Sequence, residues 1–359
     1  MEDILYWVWF SSVPKIGAAK KKKLLDEFIT PYNIYCADEI KLKGLKYLTK
    51  TNVEVLLDKK IREYAKVHLE NIYKNDIRIL TIEDDSYPEL LKNIYDPPVV
   101  LYAKGKIKID EISIGIVGAR SATSYGLNVS YDMANKISQY DITVTSGLAK
   151  GIDTCAHKGT LKNKKRTIAV LGCGLDIVYP AENKWLLEEI ISCGGLVITE
   201  YLPKTRPMPY NFPARNRIIS GISRGILVVE AGIKSGSLIT ADFALEQGRE
   251  VFAIPGNIGY KNSEGTNTLI KDGAKLVTCV EDIIEEISGI NIKPKCERKY
   301  SNLNDLEKKI VFCLESKPMH IDLVAKETNL ALKDVNAALI MLELRGIVKQ
   351  NDGKIFQIM

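Results

Sequence analysis

Several features that would assign a function directly are missing from this sequence of 359 residues. It has only three histidines, and its seven cysteines include no C-x-x-C pair, so neither an H-E-x-x-H zinc helix nor a paired-cysteine metal site is expected. No G-x-G-x-x-G motif follows any strand-like run, which argues against a dinucleotide cofactor. No apolar stretch approaches the roughly 18 residues that span a membrane. We therefore expect no cofactor, no metal, no membrane attachment and no catalytic constellation.

The cysteines and the charge also exclude broad classes of protein. An odd number of unpaired cysteines is typical of a reducing cytoplasm, and the apolar start at Ile4–Phe10 follows Glu2 and Asp3, unlike a signal peptide. The formal net charge is +5, and no large segment is strongly basic. Bulk electrostatics therefore do not indicate a nucleic-acid binder, so any such binding would depend on a local cluster.

The chain is long enough for two or three domains, and the first, residues 1–76, has a helical pattern. Val13–Phe28, VPKIGAAKKKKLLDEF, places a turn before a helix, as in helix-hairpin-helix or SAM-like domains. Such a turn can hold a phosphate on the backbone N–H groups at a helix start. The plainer interpretation, a small helical domain with a solvated lysine face at Lys20–Lys23, is favoured because the motif is short.

The pattern changes after residue 76. Residues 77–111 are interpreted as a connector with two strand-like runs, Ile77–Ile82 and Val99–Ala103. In residues 112–290, buried-strand runs alternate with helical spacings, such as the shared face of Ser130, Met133, Ala134 and Ile137. This alternation predicts an α/β fold with a doubly wound, mainly parallel sheet covered on both faces. The predicted strands are Ile114–Val117, Ile142–Thr145, Thr167–Leu171, Leu196–Thr199, Ile226–Val229, Val251–Ile254 and Leu276–Val277.

A linker at 291–302, which contains Pro294, precedes a last domain at 303–359. This domain is predicted to be a winged helix, because three helices are followed by a hairpin around Asn351-Asp352-Gly353. Its third helix is mostly apolar, which favours a protein contact or a regulatory role over reading a DNA groove. The predicted helices are Asp305–Glu315, His320–Thr328 and Leu332–Arg345, and the predicted hairpin strands are Ile347–Gln350 and Ile355–Ile358.

Glycines, hydroxyls and single cations follow the predicted strands. Ligands of doubly wound sheets bind at the carboxyl ends of the strands, where glycines and helix N-termini can hold anions. The pattern predicts a phosphate site at this edge, and ordinary turn chemistry is the alternative. The residues concerned are Gly118, Arg120, Ser121, Ser146, Gly147, Lys150, Gly151, Lys234, Ser235, Gly236, Ser237 and Thr240.

The segment FPARNR, residues 212–217, adds an aromatic ring and two arginines at the start of an apolar helix. Phe212 could stack on a base, and Arg215, Asn216 and Arg217 could join the same anion site. The alternative is that Arg215 or Arg217 pairs inside the protein with Glu200 or Glu230, since buried charges are usually paired.

These motifs together resemble the DprA/Smf family of DNA-processing proteins. The resemblance is carried by GIVGARSATSYG (115–126), SGLAKGIDTCAH (146–157), FPARNRIISGIS (212–223) and VVEAGIKSGSLITADFALEQGREVFAIPG (228–256). It implies a Rossmann-like domain that binds single-stranded DNA and forms dimers. It also implies a non-enzymatic protein that loads the RecA recombinase onto incoming strands during natural transformation. Arg120 would contact DNA, and Lys150 stands where many relatives have arginine.

Two other functions remain open at this point. The pocket also resembles that of nucleoside-monophosphate phosphoribohydrolases, but Leu238–Ala241 lacks the glutamate that follows their phosphate loop, and Asp242 and Glu246 come later. A nucleotide sensor, with the winged helix as its output, would use the same phosphate site.

Overall fold

The structure is a computed structural model that describes residues 2–109, 111–287, 303–315, 318–351 and 353–358. The chain forms two compact units, Met1–Lys293 and Pro294–Met359. The predicted linker at 291–302, with Pro294, and Asp352 of the predicted hairpin turn lie outside the described residues. The domain boundaries given above remain predictions.

The chain begins with a group of helices whose starts are capped by Thr30, Asp38, Thr49 and Asp58 side chains. The interpretation of Lys20–Lys23 as a solvated face is only partly right. Lys21 is buried, its Nζ donates to the Ser11 carbonyl at 2.6 Å, and burial lowers its pKa to about 8. These helices are α1 (Glu2–Ser12), α2 (Ala18–Phe28), α3 (Pro31–Cys36), α4 (Glu39–Lys43), α5 (Lys50–Leu57) and α6 (Lys59–Lys74).

A nine-stranded sheet forms the centre of the first unit, with strand order β1-β2-β6-β5-β4-β3-β7-β8-β9. The strands are β1 (Arg78–Thr81), β2 (Val100–Gly105), β3 (Ser113–Val117), β4 (Thr143–Ser146), β5 (Thr167–Val170), β6 (Leu196–Thr199), β7 (Gly225–Val228), β8 (Glu250–Ala253) and β9 (Lys275–Leu276). The strands from β3 to β9 pair in parallel, which confirms the predicted fold class.

The segment interpreted as a connector is part of this sheet. β1 pairs with β2, and β2 pairs with β6, both antiparallel, so the hairpin extends the parallel sheet at its β6 edge. Both strand-like runs were recognised in the sequence. The pairing of β2 with β6 was not predicted, because β6 lies about a hundred residues further along the chain and no local sequence pattern identifies it as the partner.

Helices cover both faces of the sheet. Ser130, Met133, Ala134 and Ile137 of α8 are buried together, as their spacing predicts. One layer buries β3, β7 and β8 under α8, α9 and α14, and the opposite layer joins the N-terminal helices to α10 and α11. The helices are α7 (Glu89–Lys92), α8 (Ser124–Ile137), α9 (Ile152–Leu161), α10 (Lys184–Ser192), α11 (Asn211–Ile222), α12 (Gly236–Glu246), α13 (Lys261–Lys271) and α14 (Glu281–Ile287).

The second unit is a winged helix, as predicted. Its three helices pack around a core that includes Ile310, Val324 and Leu339, and its sheet is antiparallel with order β10-β12-β11. His320 caps the second helix instead of belonging to it. The elements are α15 (Asp305–Glu315), β10 (Met319–His320), α16 (Ile321–Thr328), α17 (Leu332–Leu344), β11 (Val348–Asn351) and β12 (Ile355–Ile358).

Across the described ranges of both units, every helix is too short or too polar to cross a lipid bilayer.

Candidate functional site

The strand order changes direction at β3. The chain proceeds from β3 outward through β4 and β5 to β6, then returns to place β7 on the other side of β3. Ligands of such sheets bind in the crevice outside the carboxyl ends of the strands at this switch point. A cavity of about 350 Å³ opens here, between the loop after β3 and the first turns of α11 and α12. The predicted residues that line it are Gly118, Arg120, Phe212, Arg215, Asn216, Ser235, Gly236, Ser237 and Thr240. We name it the switch-point cavity.

The Phe212 ring lines this cavity, and two guanidinium groups and one tyrosine ring pack around it. The Arg120 guanidinium lies 5.1 Å from the ring centroid, and that of Arg215 lies at 5.9 Å. The Tyr179 ring lies 5.4 Å away at an interplanar angle of 41°. A smaller cavity of about 60 Å³ shares Arg120 and Phe212 and also includes Lys150 and Gly147. An aromatic ring flanked by guanidinium groups is suited to a planar, electron-rich ligand with a negative charge nearby.

Residues with hydroxyl groups also line the cavity, at the start of α12. Ser235 caps the helix, its Oγ lies 2.7 Å from that of Ser237, and Gly236 leaves the space beside it open. Thr240 is buried one turn later, and its Oγ1 has no hydrogen-bond partner among the described residues. No acidic residue occupies the first turn, so the partial positive charge of the helix N-terminus is not cancelled locally. Asn216 holds this turn by donating from Nδ2 to the Gly236 carbonyl at 3.2 Å.

Arg215 enters the cavity from a buried position. Its Nη1 donates to the carbonyls of Gly147, at 2.7 Å, and Val170, and its Nε donates to Asn216. It forms no ion pair with any carboxylate in the described part of the chain. Burial lowers the pKa of Arg215, and Arg120 lowers it further, while the Asp153 carboxylate raises it. The cavity therefore contains a cation whose charge is only partly balanced by the protein.

Arg217 does not line the switch-point cavity, and its side chain is paired inside the protein, so its role in DNA binding stays a prediction. Its Nη2 lies 2.6 Å from Glu200 Oε2, and its Nε lies 3.1 Å from Asp96 Oδ2, with the side chain buried. Burial alone would lower the pKa of Arg217, but the two carboxylates raise it. The internal pair with Glu200, stated above as the alternative, is the observed arrangement.

Other predicted residues also lie outside the cavity or serve the fold. The Ser146 hydroxyl donates to the Ile116 carbonyl at 2.6 Å, and Lys150 pairs with Glu182 at 2.7 Å on the surface. Lys234 borders a separate surface depression with Asp242 and Asp272. Ser121 and Gly151 line neither the switch-point cavity nor the smaller one beside it.

The glycines mainly allow the chain itself to pack closely. A Cβ at Gly147 would lie 2.6 Å from the Arg215 guanidinium, and one at Gly118 would lie 2.6 Å from Ile152 Cγ1. Gly151 has a φ of 77°, and a Cβ there would lie 2.4 Å from the Ala119 carbonyl oxygen. Glycine at these positions lets the loops pack closely against Arg215, Ile152 and the Ala119 carbonyl. These glycines therefore shape the cavity through the packing of the protein.

Two residues of the site were not predicted individually from the sequence, although the resemblance implies that the Ser146–Asp153 loop lines the pocket. Asp153 is buried below the cavity, where its Oδ2 accepts from the backbone N–H of Gly147 at 3.1 Å, and burial raises its pKa. The signal was present, since Asp153 opens α9 directly after a glycine loop. Tyr179, which packs on Phe212, lies in an irregular segment where no periodicity indicates its neighbours.

No nucleophile is assembled in the described residues near this site. The spacing Gly221-Ile222-Ser223-Arg224-Gly225 matches G-x-S-x-G, but it joins a helix to a strand, the reverse of a nucleophile elbow. The buried Ser223 hydroxyl donates to the Ile219 carbonyl at 2.8 Å. His157 Nδ1 lies 2.8 Å from Thr167 Oγ1, and burial with the nearby Arg215 lowers its pKa to about 3. No group of metal-ligating side chains occurs among the described residues.

Comparison with known families matches both units of the chain. Residues 78–288 match the family model of DNA recombination-mediator protein A, and residues 294–354 match the DprA winged helix domain. The first match begins at β1, so it includes the hairpin that completes the sheet.

Individual relatives extend over most of the chain. Protein Smf from Synechocystis sp. is 33% identical over 390 aligned positions, covering 98% of each chain. DNA processing protein DprA from Streptococcus pneumoniae is 46% identical over 207 positions, covering 57% of this chain and 73% of that protein. The X-ray structure of DprA from Streptococcus pneumoniae superposes with a TM-score of 0.59 at 36% identity, covering 76% of this chain and 99% of that one. A structure of DNA processing protein A from Helicobacter pylori, described for its single-stranded DNA binding mode, gives 0.53 at 29% identity, covering 58% and 95%.

The arrangement of sheet, switch-point cavity and winged helix and the matches to both units agree, and the chain belongs to the DprA/Smf family of DNA recombination-mediator proteins.

Proposed function

We propose that this protein binds single-stranded DNA in the switch-point cavity and acts as a recombination mediator that catalyses no reaction itself. The observation that carries the proposal is the position of Phe212. Its ring, flanked by Arg120, lines the same cavity as Ser235, Ser237 and Thr240. A base could stack on the ring while its phosphate met the guanidinium and the hydroxyls.

The size and charge of the cavity favour a single strand over a duplex. A volume of about 350 Å³ lies at the lower end of the range for small-ligand sites, roughly 300–1,000 Å³, and suits one nucleotide unit. In a duplex the bases are already stacked on each other, so a ring in the wall of a cavity would not reach their faces. The net charge of +5 for the whole chain also provides no broad basic surface for a duplex.

The finer part of the proposal concerns partners. By its family, the protein would load the RecA recombinase onto single strands during natural transformation and homologous recombination, in the cytoplasm. It would do so as a homodimer formed through the Rossmann-like domain. Exposed apolar side chains near the β9 edge of the sheet, including Ile233, Ile258 and Leu276, support such an association.

Fluorescence anisotropy with a labelled single-stranded oligonucleotide tests the binding step. Wild type should bind the single strand more tightly than the matching duplex, and Arg120→Ala should weaken binding. It should also reduce the slope of log affinity against log salt concentration by about 0.7 for each phosphate that the variant no longer neutralises. Because Arg120 is exposed, folding stability should change by less than about 0.5 kcal/mol.

Arg78→Ala is the matched control. Arg78 is also an exposed arginine, but it lies on β1, at the opposite end of the sheet order from β9 and five strands from β3. Equal affinities for wild type and Arg120→Ala would refute the proposed site. Tight binding of a mononucleotide with no binding of oligonucleotides would instead favour a nucleotide sensor or enzyme.

The partner steps need separate measurements. RecA assembly on a labelled single strand should accelerate when wild-type protein is added and should not when Arg120→Ala is added. Sedimentation analysis of Leu276→Asp, which places a charge on the exposed apolar surface near β9, should show a shift from dimer to monomer. A monomeric wild type would contradict the dimer.

A further inference from the structure

A larger cavity, about 800 Å³ in volume, lies beside the proposed DNA site and has no part in it. It opens between the start of α8, the end of β7 and the segment that follows β8. The side chains that matter to the argument are Thr123, Tyr125, Glu230, Asn257, Tyr260 and Asn262. We call it the tyrosine cavity.

The side walls present two aromatic rings to solvent. Tyr125 is 53% exposed and Tyr260 is 60% exposed, although both border a concave surface. The Tyr125 hydroxyl donates to the Pro255 carbonyl at 3.3 Å, which links the α8 side of the cavity to the segment after β8. Rings with a free face beside a cavity are stacking surfaces for planar ligands, whereas rings that serve only the fold are normally covered.

The floor of the cavity is a buried carboxylate held in one orientation. Glu230 is 4% exposed and accepts from Thr123 N at 2.9 Å, Thr123 Oγ1 at 2.5 Å and Asn262 Nδ2 at 3.3 Å. A carboxylate has about four acceptor positions, so one remains after these three bonds. An exocyclic amino group on a base is a suitable donor for it, as in recognition of cytosine N4 by glutamate. Lys261, exposed at the rim, supplies a positive charge for a phosphate.

The two cavities share one loop. Arg120 lines the switch-point cavity, Thr123 lines the tyrosine cavity, and the two residues are separated by only two others. Asn262 Nδ2 also donates to the Ser121 carbonyl at 2.9 Å. A residue of the tyrosine cavity therefore holds the loop that carries Arg120. Three residues of chain span at most about 10 Å, so a strand leaving one cavity reaches the other without a long detour.

We propose that the tyrosine cavity is a second nucleotide subsite on the path of the same strand. It holds one base with an exocyclic amino group, which donates to Glu230, against the Tyr125 and Tyr260 rings. The inference rests on the proposed single-strand binding and adds to it a path for the bound strand and a base preference.

Oligonucleotides of increasing length test the subsite. With oligodeoxycytidines, wild-type affinity should increase stepwise at the length that reaches from the first cavity into the second. In the double variant Tyr125→Ala/Tyr260→Ala the step should shrink by about 5- to 150-fold in affinity, the range for loss of one base–aromatic stack. Affinity for oligonucleotides too short to reach the second cavity should stay at the wild-type value. Tyr64→Ala, which removes a ring 61% exposed on α6, is the matched control and should retain the step.

Base preference gives an independent readout. Wild type should bind oligodeoxycytidine more tightly than oligothymidine, which has no amino group, and Glu230→Gln should reduce this difference. If that variant does not fold, the double tyrosine variant should show the same loss of preference.

The possible failures are distinguishable. Absence of the step in wild type, or a full step in the double tyrosine variant, overturns the subsite while leaving the first cavity intact. If no oligonucleotide binds at any length, the proposed function fails, and the second subsite fails with it.

Discussion

Two arginines two residues apart on α11 have opposite surroundings. Arg215 donates to backbone carbonyls and lines the switch-point cavity, where burial and the nearby Arg120 lower its pKa. Arg217 lies between Glu200 and Asp96, which together raise its pKa despite burial. The charge of one cation is left partly unbalanced, and that of the other is balanced by two carboxylates. The comparison shows that two arginines of one motif can differ completely, one lining a cavity and the other paired with carboxylates inside the fold.

Replacing Arg217, the arginine paired with two carboxylates, is expected to give the largest effect, a loss of folding stability. Arg217→Met leaves Glu200 and Asp96 without their cation, and removal of one partner from a buried ion pair costs about 3–5 kcal/mol. Urea denaturation should show this loss of unfolding free energy. The salt dependence of DNA binding by the folded variant should match wild type, because Arg217 meets no phosphate. A flatter salt dependence would show that Arg217 contacts DNA after all.

The cavity side should give an effect on binding. Phe212→Ala removes the stacking surface and should lower affinity for single strands by about 1–3 kcal/mol. Anisotropy titrations measure the loss, and Phe212→Tyr, which keeps a ring, should restore most of it. Since no charge is removed, the slope of affinity against salt should not change. A Phe212→Ala variant with wild-type affinity would mean that no base stacks there.

The surroundings of Arg215 should also make folding stability depend on acid pH, because the buried His157 lies near this cation. The pKa of His157 is lowered from 6.5 to about 3 by burial and by Arg215. Between these values the unfolded chain binds a proton that the folded chain does not, so stability falls as the pH falls from 6.5 to 3. The slope contributed is at most about 1.4 kcal/mol per pH unit. Denaturation at several pH values should give a flatter profile for His157→Gln than for wild type, and identical profiles would contradict the assignment.

The smallest effect is expected at Thr240. Its buried Oγ1 has no partner among the described residues, and neither has that of Thr145 on β4, which does not line the cavity. Thr240→Val should leave thermal stability unchanged or slightly higher, and should weaken DNA binding by about 1 kcal/mol, the value of one hydrogen bond. Thr145→Val should change stability similarly and binding not at all. Equal binding by both variants would remove Thr240 from the phosphate site.

The sequence predicted the parts of the molecule that depend on local pattern. The seven strand runs of residues 112–290 and the helices of the winged helix are confirmed within a residue or two. Buried strands appear in the sequence as short apolar runs, and helices appear as apolar residues at helical spacing. The site was predicted at one edge of the sheet, since several strand ends are followed by glycines and hydroxyl-bearing residues. Glu200 was named from the sequence as one possible partner of Arg217, but Asp96 was not, because it approaches Arg217 only after β2 and β6 have paired. Tyr125 and Tyr260 were missed because they belong to segments far apart in the chain, the start of α8 and the segment after β8, which meet only in the folded protein.

The antiparallel hairpin of β1 and β2 covers one edge of the parallel sheet, which matters for any truncation of the chain. Removing residues 1–111 would leave β6, whose four residues are all buried, as an unprotected sheet margin with free N–H and C=O groups. Such a margin recruits strands from neighbouring molecules. A shortened chain that begins at β3 would therefore tend to aggregate, so we expect the N-terminal hairpin to be needed to keep the sheet from associating with other molecules.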